Sequence, residues 1–326
     1  MRVLITGITG FAGSHLADFI VEQGAVEVCG LKRAHSGTDN LRQLHGKVNL
    51  VDCDLENAED VAHCIGRVRP DRIFHLAARS SVPESWVEPA RTLTFNVIGE
   101  VHILEAVRRV GTKTAVHIAA SSEEYGVAAS QQIPLDEKSE IKPVSPYGLS
   151  KVAQDLLGFQ YHLKYGLNIV RTRAFNQTGP RQKEDFVASN FARQVAMIEA
   201  GLQEPLIQVG DTAMVRDFTD VRDVVRAYWM ALERGEAGEV YNICSGVGRR
   251  VAEIVDFYTA HSVVRIKVRQ DPGRMRANDA PRIVGDASKF IRRTGWKPGI
   301  PFETTLEDLL NYWREKVASG KVPAKD

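Results

Sequence analysis

The apolar pattern predicts an α/β fold: a doubly wound parallel sheet with a smaller C-terminal lobe. Three observations support this class. Over the first 120 residues, short β-branched apolar runs alternate with longer mixed segments, as strands alternate with crossover helices in a parallel sheet. Three glycines, Gly7, Gly10 and Gly13, stand where the first run gives way to a helical pattern, the place where open α/β sheets bind ligands. The chain has 326 residues, 44% of them hydrophobic and 25% charged, enough to bury a large core.

Taken in order, strands are expected at Arg2 to Thr6, Val26 to Leu31, Val48 to Asp52, Arg72 to Leu76 and Ala115 to Ala119. Each ends at small or polar residues suited to a site at the carboxyl edge. Between them, Ser14 to Gln23, Ala58 to Arg67 and Thr92 to Val110 carry apolar residues at helical spacing. Further on come a long helix between Pro146 and Tyr165 and strands at Asn168 to Arg173 and Val240 to Ile243. Residues 1–175 with about 216–245 are expected to form the sheet domain. Residues 176–215 with 246–326 break the alternation and should form a smaller lobe over the sheet edge, where a substrate would lie.

Charge and composition narrow the partners. The formal net charge of +1 gives no basic excess for nucleic acid or an acidic membrane surface. No apolar run approaches the roughly 20 residues of a membrane span, and no basic segment leads into a cleavable apolar stretch. A cytoplasmic protein is expected. Cys29, Cys53, Cys64 and Cys244 show no CxxC spacing, so they read as small buried residues in a reducing compartment, with no metal site.

The run Gly7-Ile-Thr-Gly10-Phe11-Ala-Gly13 suits a dinucleotide pyrophosphate. Gly7 permits the tight turn, Gly10 lets backbone N–H groups approach the phosphates, and Gly13 lets the helix pack closely. This is the Rossmann-type arrangement. After the second strand, Lys32 and Arg33 replace the carboxylate that would bind a ribose 2′-hydroxyl, and their cations favour NADP over NAD, which stays possible. Asp54-Leu55 could meet the adenine, or Asp54 could cap the next helix.

Tyr147 and Lys151 are four residues apart, on one face of the expected helix. A neighbouring cation, with the nicotinamide charge, would lower the phenol's pKa so that Tyr147 accepts a proton from a sugar hydroxyl. Upstream, Ser121-Ser-Glu123-Glu124-Tyr125-Gly126 follows a strand at the same edge. Ser121 can bind the substrate oxygen there, and Glu123 or Glu124 can serve as a second acid–base group. His75 reads as a hydrogen-bonded strand-end histidine, since the tyrosine already fills the proton-transfer role.

The glycine triplet, His75-Leu76-Ala77-Ala78, Asn96, Ser121, Tyr147 and Lys151 together resemble the extended short-chain dehydrogenase/reductase family, which acts on nucleotide-diphosphate sugars. Phe175-Asn176-Gln-Thr-Gly-Pro180-Arg181, Val215-Arg216-Asp217 through Asp223, and Gly295-Trp296-Lys-Pro298 resemble the group of GDP-mannose 4,6-dehydratases and GDP-4-keto-6-deoxymannose reductases. The resemblance implies a catalytic set of Ser121, Tyr147 and Lys151. It implies cofactor contacts at Phe11, Leu76, Ala77, Ala78 and Asn96. It implies a GDP-sugar held by Ser80, Ser81, Asn176 and Arg181, with Arg216 at the diphosphate and Arg276 and Asp279 at the phosphate and ribose. It further implies a homodimer formed through the helices around Thr92 to Val110 and Pro146 to Tyr165.

Glu123 occupies the glutamate position of the dehydratases' Thr/Ser-x-Glu motif, and the expected reaction is therefore 4,6-dehydration. Against it, Phe11-Ala12 stands where dehydratases carry Gln-Asp, and the arm after the second strand is short. A 4-keto reductase is the alternative, then a 4-epimerase. The non-enzymatic alternative is a nucleotide-binding sensor or scaffold, which would have no need for an intact Ser121, Tyr147 and Lys151.

Overall fold

The computed structural model describes residues 1–320 apart from 112, 131–133, 272 and 274–279. From the N-terminus come β1 (Arg2–Thr6), α1 (Phe11–Gln23), β2 (Glu27–Lys32), β3 (Val48–Asp52), α2 (Ala58–Val68), β4 (Arg72–His75), α3 (Val82–Val87), α4 (Pro89–Leu93), α5 (Gly99–Val110), β5 (Ala115–Ser121), α6 (Pro146–Tyr165) and β6 (Asn168–Ala174). The second half adds β7 (Asn176–Thr178), α7 (Val187–Glu199), β8 (Leu206–Val209), β9 (Val215–Asp220), α8 (Val221–Arg234), β10 (Val240–Ile243), β11 (Gly248–Arg250), α9 (Val251–Ala260), β12 (Lys267–Gln270), β13 (Arg282–Ile283), α10 (Ser288–Thr294) and α11 (Phe302–Ala318).

Seven strands form one sheet in the order β3-β2-β1-β4-β5-β6-β10, and every neighbouring pair in it is parallel. Strand order reverses between β1 and β4, so a crevice opens there at the carboxyl ends. Register aligns those ends: Thr6 lies beside Leu31 and His75, and Ser121 beside Ala174. The two-residue strand period sends Val3 and Ile5 into one core with Val225 and Tyr228 of α8. It sends Leu4, Val116 and Ile118 into another core with Ile65 of α2 and Ile103 and Leu104 of α5. This is the expected doubly wound sheet, buried on both faces.

A third core joins α7, α9 and α11 through Phe191, Val195, Ile254, Tyr258, Leu309 and Trp313. Residues 280–296, grouped with this lobe in the sequence reading, send Ile283, Phe290 and Trp296 into the sheet core beside α8. The Trp296 indole N–H donates to the Asp223 carbonyl at 3.0 Å, which satisfies the polar end of a fully buried ring.

Three departures from the expected elements exceed one residue. β5 runs on to Ser121, because its ladder with β6 continues to Ala174. α1 begins at Phe11, directly after Gly10 as N-cap. The expected Thr92–Val110 helix is interrupted by a π-turn at Thr94–Ile98, which sets the Asn96 amide into the interior.

Candidate active site

The glycine loop is shaped by what its Cβ atoms would strike. At Gly13 a Cβ would come within 2.2 Å of the Gly7 carbonyl oxygen, and at Gly7 within 2.9 Å of the Ala77 backbone. Gly7 also has φ 69°, a left-handed conformation that favours glycine. Gly30, in β2, supports the loop from behind: a Cβ there would meet Ile8 at 2.4 Å. No side chain caps α1 and its first turn holds no acidic residue, so its leading N–H groups remain for an anion. Thr6 Oγ1 accepts the N–H groups of Leu76 and Ala77, each at 3.1 Å, and so ties the second loop to the first. This cradle fits a dinucleotide pyrophosphate.

The flanking residues divide into engaged and available groups. Lys32 pairs with Asp52, whereas Arg33 is exposed and makes no ion pair among the described residues. Asp54 is exposed and accepts the Glu56 N–H at 3.0 Å; the cap of α2 is Asn57, whose side chain accepts from Glu59 and Asp60. Leu55 is buried, and its carbonyl binds His102 at 2.8 Å. Asn96 accepts the Arg79 N–H at 2.8 Å and donates to the Arg79 carbonyl and to Ser150 Oγ. With both amide donors committed, Asn96 braces the loop after β4 against α6.

The reactive side chains converge from β5 and α6. Ser145 caps α6 by accepting the Gly148 N–H at 3.0 Å, and Pro146 opens the helix. Tyr147 therefore lies in the first turn. Gly148 lets this turn approach the loop carrying Glu123, since a Cβ there would lie 2.8 Å from the Glu123 carbonyl oxygen. Tyr147 hydrogen-bonds Ser121. Ser121 Oγ also accepts the Glu123 N–H at 3.2 Å, while the Ser121 N–H donates to Glu124 Oε1 at 3.0 Å.

Burial pushes the Tyr147 phenol above its ordinary range; the bond to Ser121 pulls the other way, and Glu123 and Glu124 add to the rise. The sequence predicts that Lys151 lowers it together with a nicotinamide charge. In the structure Lys151 Nζ lies 5.9 Å from the ring centroid and donates to the Ala119 carbonyl and Gln154 Oε1, both at 2.8 Å. Burial lowers Lys151 itself to about 8, against the pull of Glu100 and Glu124. Desolvation thus outweighs the cation, and the resting phenol is neutral.

The two glutamates differ. Glu124 is fully buried, ion-paired to Arg173, and shares that arginine with Asp155, which also pairs with Arg171. Burial and Asp155 raise its pKa. Glu123 is only half-buried and faces the phenol closely enough to affect its charge. Glu123 is thus the more exposed of the two carboxyls. His75, fully buried, binds Thr6 Oγ1 at 2.9 Å and Gln154 at 3.2 Å, and burial lowers it to about 3; it is neutral and structural.

The substrate-side residues are more scattered. Asn176 is half-buried in β7 beside Phe218. Ser81 caps α3, accepting the Glu84 N–H at 3.3 Å, and Ser80 is exposed. Arg181, with φ 71°, pairs with Asp18 of α1 at 2.6 Å, which turns its guanidinium toward the sheet domain. Arg216 is buried on β9 and donates to the Val215 carbonyl at 2.9 Å. Arg276 and Asp279 lie outside the described residues. Gln154 and Glu100, absent from the sequence reading, stand directly behind Lys151.

A phosphate-ready loop at the sheet's switch point, with a Ser–Tyr–Lys cluster across the crevice, defines an extended short-chain dehydrogenase/reductase. The family model for GDP-mannose 4,6-dehydratase matches residues 4–309, and the chain belongs to that family. It is 34% identical over 316 residues to GDP-6-deoxy-D-mannose reductase of Pseudomonas aeruginosa, covering 97% of this chain and 98% of that protein. It is 31% identical over 349 residues to GDP-mannose 4,6-dehydratase of Yersinia enterocolitica, covering 95% and 92%. Among solved structures it resembles RMD from Pseudomonas aeruginosa complexed with NADPH, at TM-score 0.83 and 32% identity, covering 97% and 99% of the two chains. It also resembles UDP-glucose 4-epimerase from Thermotoga maritima with UDP-glucose, at TM-score 0.88 and 30% identity, covering 97% and 100%.

Proposed function

We propose that the chain is an NADP-dependent GDP-mannose 4,6-dehydratase acting in the cytoplasm as a homodimer. The observation that carries this reading is the position of Glu123, a half-buried carboxyl on the turn after Ser121, within electrostatic reach of Tyr147. The matching family model and the GDP-mannose 4,6-dehydratase relatives support the same substrate. Arg33, exposed and with no ion pair among the described residues, suits a 2′-phosphate, and the NADPH-bound neighbour agrees with that choice. The four cysteines are free and buried, in keeping with a reducing compartment. No helix among the described residues is long and apolar enough to cross a membrane.

NADP, when bound, would supply the hydride chemistry, oxidation at C4 of the sugar and reduction at C6. Gly7, Gly10 and the N-terminus of α1 would hold its pyrophosphate. Ser121 orients the C4 hydroxyl, and Tyr147 takes its proton; because the resting phenol is neutral, this requires prior loss of the phenolic proton, favoured by Lys151 and the nicotinamide's positive charge. The C4 ketone acidifies the C5 proton, which Glu123 removes. Glu123 then returns that proton to the departing C6 hydroxyl, water leaves, and as C6 is reduced the proton held by Tyr147 passes to C5, which leaves the C4 ketone in the product.

The test is incubation with GDP-mannose and NADP, with product analysis by mass spectrometry. A 4-keto-6-deoxy sugar should form with no net cofactor consumption. Tyr147→Phe should lower turnover by about 10²–10⁴-fold, the usual worth of general acid–base catalysis. Glu123→Gln should lose dehydration by a similar factor while sparing ketone reduction. The second reading, a GDP-4-keto-6-deoxymannose reductase, is favoured by the 34% identity to the Pseudomonas reductase. Consumption of NADPH only when the ketone is supplied, with GDP-mannose left untouched, would replace the first reading by the second.

A further inference from the structure

Behind Lys151 lies a polar chain that the reaction above does not use. Gln154 is fully buried one turn beyond Lys151 on α6; its Oε1 accepts from Lys151 Nζ at 2.8 Å and its Nε2 faces His75 Nε2 at 3.2 Å. An amide with its oxygen committed to an ammonium must present its N–H to the histidine. His75 Nε2 is then an acceptor and Nδ1 carries the proton toward Thr6 Oγ1, so neutral His75 fixes which way Gln154 points. Glu100, from the first turn of α5, is fully buried beside the same amide. Both its carboxyl oxygens lack a well-formed hydrogen bond, and a buried carboxyl without such partners is costly. Burial raises its pKa well above the usual carboxylate range, against the pull of Lys151 and Gln154.

We propose that Gln154 is a positioning residue for Lys151, holding the ammonium through a hydrogen bond whose direction His75 dictates. The proposal rests on Lys151 belonging to the dehydrogenase/reductase site. The titratable and charged groups facing Lys151 are Glu100 from α5, Glu124 from the turn after β5, His75 from β4, His117 from β5 and Tyr147 from its own helix. Those facing Glu100 are Lys151 and Asp155 from α6 and Arg171 from β6. Only Glu100 and Glu124 favour the charged lysine, and Glu124 is already committed to Arg173.

The experiment is a pH titration of the cofactor-free full chain labelled with ε-¹³C-lysine, the Lys151 resonance being assigned with Lys151→Met. The wild-type midpoint should lie near 8. Gln154→Leu, which removes the acceptor, should lower it by about one unit, and Gln154→Glu should raise it. In parallel, the pH profile of kcat should shift in the same directions with KM for the nucleotide sugar unchanged, a split that a general packing defect would not give. Midpoints that coincide in all three proteins would overturn the proposal, and the conservative Gln154→Glu keeps it testable if Gln154→Leu fails to fold. Absence of turnover on GDP-mannose with the NMR shifts intact would count against the proposed reaction alone; turnover without the shifts would count against this inference alone.

Discussion

Arg33 and Lys32 are adjacent cations with different fates, and on the proposed function the difference favours NADP. Lys32 is neutralised by Asp52, which leaves Arg33 as the cation for a 2′-phosphate. Arg33→Ala should therefore weaken NADP binding by about 10–100-fold, the worth of a charge-assisted bond, while leaving NAD affinity nearly unchanged; fluorescence titration with both cofactors would check it, and equal losses would refute it. Gly7, Gly10, Gly13, Tyr147 and Lys151 were legible in the sequence because their meaning is local, set by a turn or by one helical turn of spacing. The bracing by Asn96 was not legible: its amide binds Arg79 and Ser150, partners 17 and 54 residues away. Gln154 lies within one helical turn of Lys151, but the His75 that orients its amide is 79 residues away, and Glu100 comes beside it only through the packing of α5 against α6.

Among the elements, β6 shows how a strand with two arginines can be central. Arg171 and Arg173 both reach Asp155 of α6, and Arg173 also meets Glu124, so four buried charges offset one another beneath the catalytic turn. Arg173→Met should cost about 3–5 kcal/mol, because it leaves Glu124 and Asp155 buried without their shared cation; urea denaturation reads this directly, and a loss under 1 kcal/mol would show the network to be dispensable. The alternation of strand and helix was legible for β1 to β6 and β10, where apolar runs are continuous. The interruption at Thr94–Ile98 was not, since the helical spacing of apolar residues runs through it without a proline or glycine pair to mark the break. Short strands such as β7 and β13, of 3 and 2 residues, carry too little pattern to be seen.

For the whole molecule, two expectations follow. Leu149, Leu156 and Leu163 recur every seven residues along α6 and are 50%, 45% and 67% exposed, an apolar stripe of the kind that packs helix against helix. Leu156→Glu with Leu163→Glu should convert the proposed dimer to monomer in light scattering; an unchanged mass would remove α6 from the interface. His117 lies buried against Thr172, and burial lowers it to about 3 from 6.5. Its stabilising effect is complete above pH 6.5 and is lost as pH falls from there toward 3, because only the unfolded chain takes up the proton. Between pH 6.5 and 5 that is about 2 kcal/mol. His117→Gln should reduce the acid loss by this amount in denaturation curves at the two pH values, and parallel losses would contradict it.

The contacts of residues 180 and 181 with α1 have a mechanical meaning. His15 binds the Pro180 carbonyl at 2.9 Å and Arg181 binds Asp18, so the start of the second lobe is latched to the very helix whose tip would receive the pyrophosphate. The orientation of that helix tip is thereby tied to the segment that follows β7.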